Sequence, residues 1–262
     1  MAVQPIPRVD ILGTEVSAIN MEIALAEIAC WIDSREQHYV CVTGVHGVME
    51  SVRDPELRRI HNASGLTTPD GMPLVWCAHW SGARHVRRVY GPDLMLQLAA
   101  MAADKGWTSF FYGGNEGVPE LLAETLTDRF PRFRTAGTHS PPFRDLTPEE
   151  DEAVIENINA AAPDLVWVGL STPKQERWMA SHFRKLNVPV LLGVGAAFDI
   201  NADLIRQAPD WMQNSGLEWL FRLVTEPRRL WRRYLRNNPA FVARLLFRPP
   251  TLVETGVVKD TP

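Results

Sequence analysis

Short apolar runs alternate along the chain with longer segments whose apolar positions return every three or four residues. "HYVCVTGV" (38–45) predicts a strand, and "HGVMESVRDPELRRIHNAS" (46–64) predicts a helix that Pro55 kinks or divides. "SGLTTPDG" (64–71) reads as a short extended segment and "MPLVWCAHWSG" (72–82) as a helix. In "PDLMLQLAAMAADKG" (92–106), Leu94, Leu98 and Met101 share one helical face. A strand follows in "WTSFFYGG" (107–114), and helices in "VPELLAETLTDRFP" (118–131) and "TPEEDEAVIENINAAAP" (147–163). "DLVWVGLS" (164–171) predicts a buried strand, "PKQERWMASHFRKLN" (173–187) a helix, and "VPVLLGVG" (188–195) another strand.

Repeated strand, loop and helix units predict a mainly parallel sheet covered by helices on both faces, a Rossmann-like α/β fold. Ligands in such sheets bind at the carboxyl ends of the strands. That rule directs attention to five loops, "TGVH", "TPDG", "YGGNEG", "STPKQE" and "GVGAAFD", which the pattern brings to one edge.

Composition narrows the class. With 262 residues, 45% hydrophobic and 22% charged, the chain is a globular protein and not a disordered one. Cys30, Cys41 and Cys77 lie in or beside apolar runs without metal-ligand spacing, and read as buried thiols of a reducing cytoplasm. Neither an export signal nor a bilayer-spanning run is visible, so a cytosolic protein is expected.

Charge divides the chain. Residues 206–248 hold nine arginines and no lysine against Asp210, Glu218 and Glu226, whereas the whole chain has a formal charge of −4. The expected organisation is therefore a core over 1–205 and a basic helical appendage over 206–262. Within "RRLWRRYLR", Leu230 and Tyr234 form an apolar edge beside Arg228, Arg229, Arg232, Arg233 and Arg236. Basic amphipathic helices with aromatics lie in membrane interfaces, and anionic lipid is the expected partner. With no recognition module and an acidic remainder, nucleic acid is not.

The loop residues each admit a plain and a functional reading. In "STPKQE", Thr172 as N-cap, Pro173 as first helical residue and Gln175 at N3 would form a capping box; the same terminus with Lys174 would cradle an anion or a sugar hydroxyl. Asp70 in "PDG" is an N-cap or a general base. Gly113 and Gly114 in "YGGNEG" allow close backbone approach to a ligand or form an ordinary turn; neither this loop nor "GVGAAF" is a dinucleotide fingerprint, which argues against an oxidoreductase. His46 bonds a ligand or starts a helix, and Thr43 suits a small hydrogen-bonding role. No D-x-D is present, and the acidic "EEDEA" (149–153) reads as a solvated helix start, so neither a metal nor a cofactor is expected. A non-catalytic membrane adaptor is the remaining rival class.

"VTGVHGVMES", "TTPDGMPLVW", "FFYGGNEGVPE", "VWVGLSTPKQERWM", "GVGAAFD" and "GLEWLFRLVTEPRRLWRRYL" together resemble the WecG/TagA/CpsF glycosyltransferases in content and order. The resemblance covers about residues 10 to 240. It implies a metal-independent, inverting transferase that moves a sugar from a nucleotide diphosphate to a polyprenyl-diphosphate-linked acceptor in cell-surface polysaccharide assembly, peripheral on the inner face of the cytoplasmic membrane. It places the catalytic aspartate on Asp70, the pocket threonine on Thr43 and the pocket glutamine on Gln175. Arg222, Arg229 and Arg232 become candidates for the leaving diphosphate, and Arg228, Arg233 and Arg236 for the membrane. Val45 replaces a common asparagine, with His46 a substitute; Asp203 replaces a glycine and Gln207 an arginine, with Arg206 nearby. Lys174 and Glu176 are assigned to the helix start and surface. The sequence leaves a homo-oligomer open.

Overall fold

A computed structural model describes residues 6–253. In chain order the strands are β1 (Arg8–Ile11), β2 (Thr14–Ser17), β3 (His38–Thr43), β4 (Leu66–Pro69), β5 (Thr108–Gly113), β6 (Arg134–His139), β7 (Leu165–Gly169), β8 (Val190–Gly193) and β9 (Thr251–Val253). The helices are α1 (Met21–Ser34), α2 (Val45–Arg53), α3 (Pro55–Ala63), α4 (Met72–Trp80), α5 (Gly91–Lys105), α6 (Val118–Arg129), α7 (Pro148–Ala161), α8 (Lys174–His182), α9 (Ala197–Asn201), α10 (Asp210–Asn214), α11 (Glu218–Thr225) and α12 (Pro227–Phe247).

The expected α/β architecture is present: a six-stranded sheet in the order β4-β3-β8-β7-β5-β6, flanked by helices. The chain divides into two compact units, one of Met1–Met21, Thr43–Val89 and Ala208–Pro262, the other of Glu22–Val42 and Tyr90–Gln207.

In the second unit β3, β8, β7, β5 and β6 run parallel, with Trp167 opposite Leu192 on β8 and Phe111 on β5. The runs on β5, β7 and β8 are apolar because both faces of these strands are covered, and nearly every residue in them is buried. β6 carries no such signal. Its RTAGTH sequence is an edge strand without one fully buried residue, and Gly137 lets Phe110 pack where a Cβ would come within 2.6 Å of the ring.

In the first unit β1 pairs antiparallel with β2 and β9. The β1–β2 turn passes through Leu12 and Gly13 at φ 56° and 95°, the paired left-handed conformation that two-residue hairpin turns require. Val9, Ile11, Val16, Val48, Met49, Leu74, Cys77, Phe241 and Leu245 belong to its apolar core, the last two supplied by α12.

Pro55 divides the expected helix. Asp54 is extended (φ −126°, ψ 100°), as residues before proline are, and its carboxylate caps α3 by accepting from the Glu56 and Leu57 amides. Of the three thiols, Cys41 and Cys77 are buried, and burial pushes the Cys77 pKa up to about 12. Cys30 is exposed, contrary to expectation, because α1 turns Ala24, Ile28, Trp31 and Ile32 inward and position 30 falls on the opposite side.

Candidate active site

The candidate residues fall into two groups, one in each unit. The first forms where β3 and β4 end. The Asp70 amide donates to the carbonyls of Thr43 and Thr68, both at 3.0 Å, which fixes the PDG turn against the end of β3. The N-cap of α4 is Gly71 and has no side-chain cap, so the capping role open to Asp70 is not the one it takes. Its carboxylate lies over Gly44, where a Cβ would stand 3.9 Å from Oδ2.

Thr43 is buried, with Oγ1 3.0 Å from His61 Nε2. His61 Nδ1 lies 3.0 Å from the Leu57 carbonyl, an acceptor only, so Nδ1 carries the proton. Nε2 then accepts, and Thr43 donates its hydroxyl proton to it. Gly47 is required here, since a Cβ at 47 would come 2.9 Å from Thr43 Cγ2.

His46 stands in the first turn of α2, with Nδ1 3.1 Å from Asn237 Nδ2 and 3.7 Å from a Glu50 oxygen. Arg53 donates to Asn237 Oδ1 at 2.7 Å, which leaves the Asn237 amine facing His46. With the Asn237 amine as donor, His46 Nδ1 is the acceptor of this contact.

Arg88, which no motif singled out, ties this group to the C-terminal helices. Its guanidinium donates to the Asp70 carbonyl, to Gln213 Oε1 and to Glu218 of α11. The side chains of Arg88 and Glu218 are only 13% and 16% exposed. Burial raises the Glu218 pKa, Asp70 adds to the shift, and Arg88 and Arg222 oppose it.

One turn beyond Glu218, Arg222 lies 3.8 Å from Glu226, which also pairs with Arg229 at 2.6 Å. Trp219 and Tyr234 bring α11 against α12, their ring centroids 5.9 Å apart. The four arginines of "RRLWRR" and Arg236 separate by exposure: Arg228, Arg229, Arg232 and Arg236 face solvent, whereas Arg233 is half-buried.

The second group surrounds the ends of β5 and β7. Gly113 has φ 118°, and a Cβ there would lie 2.7 Å from the Gly169 backbone; Gly114, at φ 75°, donates its amide to the Gly169 carbonyl. Close approach to the end of β7 accounts for Gly113, and a left-handed backbone against Val118 and Phe198 for Gly114.

The capping box expected at "STPKQE" is absent. α8 starts at Lys174 with Pro173 at the N-cap, which has no side-chain acceptor, and the Thr172 hydroxyl donates to Glu176 Oε1 at 2.8 Å instead. A capping box forms at Thr147–Glu150, where the Arg144 pair holds the Glu150 pKa down to about 2. Lys174 is exposed, but Glu176 is fully buried and so is no surface charge.

Glu176 Oε1 also accepts from Gln175 Nε2 at 3.1 Å. Gln175 is buried, and its own Oε1 has no hydrogen-bond partner. Another expected solvated acid is engaged as well: Asp151 lies 2.9 Å from His182 Nε2. Among the described residues, no group of three or more His, Cys, Asp or Glu is placed to hold a metal ion.

Of the residues that matter here, Arg88 and His61 lay outside every candidate the sequence offered, and Glu218 fell within a quoted segment without being singled out. Each sits in a stretch that reads as helix or surface charge, and its role depends on contacts distant in sequence.

The family model described as Glycosyl transferase WecG/TagA/CpsF family matches residues 9–252. The chain is 26% identical to an N-acetylglucosaminyldiphosphoundecaprenol N-acetyl-beta-D-mannosaminyltransferase of Bacillus spizizenii, over 99% of this chain and 98% of the relative. Similar proteins of the same name occur in Bacillus subtilis (26% identity; 82% of this chain, 85% of the relative) and Staphylococcus aureus (25%; 91% and 92%).

Proposed function

The chain belongs to the WecG/TagA/CpsF glycosyl transferase family, and we propose that it moves a sugar from a nucleotide-diphosphate donor to a polyprenyl-diphosphate-linked sugar in the assembly of a bacterial cell-surface polymer. The observation that carries this reading is the grouping, in one unit, of the Asp70 turn with Arg88 and the arginines of α11 and α12. A carboxylate at a strand end beside several guanidinium groups suits a reaction that removes a proton and releases a diphosphate.

In the proposed single displacement, Asp70 takes the proton of an acceptor hydroxyl as its oxygen bonds to the anomeric carbon. The bond from that carbon to the diphosphate breaks, and the electron pair leaves with the phosphate oxygen. One in-line attack inverts the centre, in keeping with the β-linkage in the relatives' names. Arginine meets the developing charge without a metal, because its fork of donors matches phosphate oxygens. Thr43 is proposed to hold a sugar beside Asp70; in the other unit, Gln175 is proposed to bind the donor, on the strength of the family resemblance.

Membrane docking through α12 is part of the proposal. Trp231, Leu235, Val242 and Leu246 are exposed at spacings of four, seven and four along this helix, and Phe247 is 90% exposed. A helical stripe of that kind bordered by exposed Arg228, Arg232 and Arg236 suits an anionic interface on the inner face of the cytoplasmic membrane. No helix among the described residues is long and apolar enough to cross a membrane.

The test is a screen of UDP-, GDP- and ADP-linked sugars against polyprenyl-diphosphate-linked N-acetylglucosamine, with product linkage read by NMR. Transfer from one donor with an inverted linkage is expected. Hydrolysis or no turnover with every donor, or a retained anomeric centre, would contradict the proposal.

A further inference from the structure

We infer that the outer face of α4, with the basic turn that follows it, docks on anionic lipid separately from α12 and holds Asp70 near the bilayer that carries the acceptor. The helix reads MPLVWCAHW, without one acidic residue, lysine or arginine. Leu74, Val75, Cys77 and Ala78 are buried, and the opposite side carries Trp76 and Trp80, 50% and 59% exposed. These indoles are four residues apart and so lie one above the other on a single face. A helix that is apolar all round belongs inside a core or against lipid. Among the described residues, α4 is covered on one side only.

The turn after the helix supplies charge. His79 Nε2 donates to the Val86 carbonyl at 2.9 Å, and Arg87 donates to the carbonyls of Arg84 and Val86 at 2.6 and 2.9 Å, which folds this turn back onto the end of α4. Arg84 and Arg87 are exposed there. Residues 71–92 hold three arginines and no acid. Beside Trp76, a Cβ at Gly216 would come 2.6 Å from the indole, so the turn between α10 and α11 borders the patch, and Trp211 of α10 is 64% exposed.

Such a surface could meet a second copy of the chain, the isoprenoid tail of one acceptor, or a bilayer, and charge decides among them. A two-fold contact between copies would set arginine against arginine. An isoprenoid tail has no use for Arg84 and Arg87. A bilayer interface uses both features: indoles sit at headgroup level with the ring face in apolar surroundings, and arginine pairs with headgroup phosphates. α4 begins two residues after Asp70, and at 1.5 Å per residue Trp76 and Trp80 lie about 6 and 12 Å along the axis from Met72. Indoles seated in the interface therefore keep Asp70 within about 10–15 Å of the headgroups, where a lipid-linked sugar is met. That last step rests on the glycosyltransferase reading, whereas the docking does not.

The experiment uses the full chain, with α12 intact, and compares wild type with the double variants Trp76→Ala/Trp80→Ala and Arg84→Gln/Arg87→Gln. Sedimentation with phosphatidylglycerol-containing vesicles at low and high salt measures docking, analytical ultracentrifugation the oligomeric state, and thermal melting the stability. Transfer is followed with the acceptor in vesicles, in detergent, and as a short-chain water-soluble analogue. The tryptophan variant should bind vesicles about tenfold or more weakly at either salt concentration, because its loss is apolar. The arginine variant should lose about tenfold or more at low salt only. Melting temperatures should stay near wild type, since all four side chains are exposed. Transfer to the vesicle-borne acceptor should fall in both variants, and transfer to the soluble analogue should not. Wild-type vesicle affinity in either variant overturns the inference, as does a wild type that binds no vesicles. Unchanged affinity with an altered oligomeric state would make the patch a contact between copies, and unchanged affinity with a raised KM for the long-chain acceptor in detergent would make it an isoprenoid site. If the tryptophan variant does not fold, the arginine variant decides. Weakened vesicle binding in a protein that transfers sugar to no acceptor would sink the glycosyltransferase reading and leave the docking surface standing.

Discussion

Replacing Glu218 by glutamine separates stability from activity at the Arg88 contact. The carboxylate and guanidinium are both nearly buried. A hydrogen bond to a charged group contributes about 1.5–3 kcal/mol, while taking two ions out of water costs several kcal/mol each. The raised Glu218 pKa shows which effect wins at that side chain: its ionised form is less favourable in the fold than in water, even beside Arg88.

The sign follows from linkage. A carboxyl with a raised folded pKa contributes most below its ordinary value near 4.5, and that contribution is lost as pH rises through the folded value. Glutamine resembles the protonated acid and keeps an acceptor for Arg88. Glu218→Gln should therefore change stability at pH 7 by within about 1 kcal/mol, toward stabilisation, and should lack the wild-type decline across that pH window. Glu218→Ala removes the acceptor and should lose about 1–3 kcal/mol. Both should lower turnover about tenfold or more, because Arg88 anchors the Asp70 carbonyl and small displacements of a reacting group are costly. Melting curves from pH 4 to 8 and initial rates of sugar transfer test this. A Glu218→Gln protein destabilised by several kcal/mol with wild-type turnover would refute the reasoning and make the pair a structural staple.

Three further outcomes are expected. Changing Arg228 and Arg236 together to glutamine should reduce binding to anionic vesicles about tenfold or more, since each basic residue near such a surface contributes about 1 kcal/mol, and added salt should reduce wild-type binding in the same way; unchanged sedimentation would remove α12 from the membrane. Transfer should survive excess EDTA, and loss rescued by Mg²⁺ or Mn²⁺ would overturn the arginine account of the leaving group. Gln175→Ala should weaken donor binding and also lower stability by about 1–3 kcal/mol, because the buried amide donates to the fully buried Glu176 carboxylate; unchanged calorimetric affinity would count against its role in binding.

The strands of the second unit were legible because a strand covered on both faces must be apolar throughout, as in β7 with Leu165 to Val168 all buried. β6 was not, since an edge strand of Arg, Thr, Gly and His carries no periodic apolar signal. The β1–β2 hairpin and α1 did carry one, in Val9 and Ile11 and in Ala24, Ile28, Trp31 and Ile32, but short strands and a brief amphipathic run compete poorly with longer segments. The site divided the same way. Asp70 at a strand-to-helix junction was open between N-cap and base, and only the family resemblance singled it out; the structure gives the N-cap of α4 to Gly71. The inward turn of Arg233 and the burial of Glu176 were invisible: adjacent arginines read alike until helix phase is fixed by a buried face, and an acid in a helical first turn reads as solvent-facing until packing covers it.

The central claim is that Asp70 removes the acceptor proton. Single-turnover transfer to polyprenyl-diphosphate-linked N-acetylglucosamine, using the donor found in the screen, compares wild type with Asp70→Asn, which keeps size and hydrogen-bonding capacity but cannot act as a base. The account predicts a rate at least about 100-fold lower, with nucleoside-diphosphate affinity and melting temperature close to wild type. A rate near that of wild type in Asp70→Asn, with the same product linkage, would contradict it.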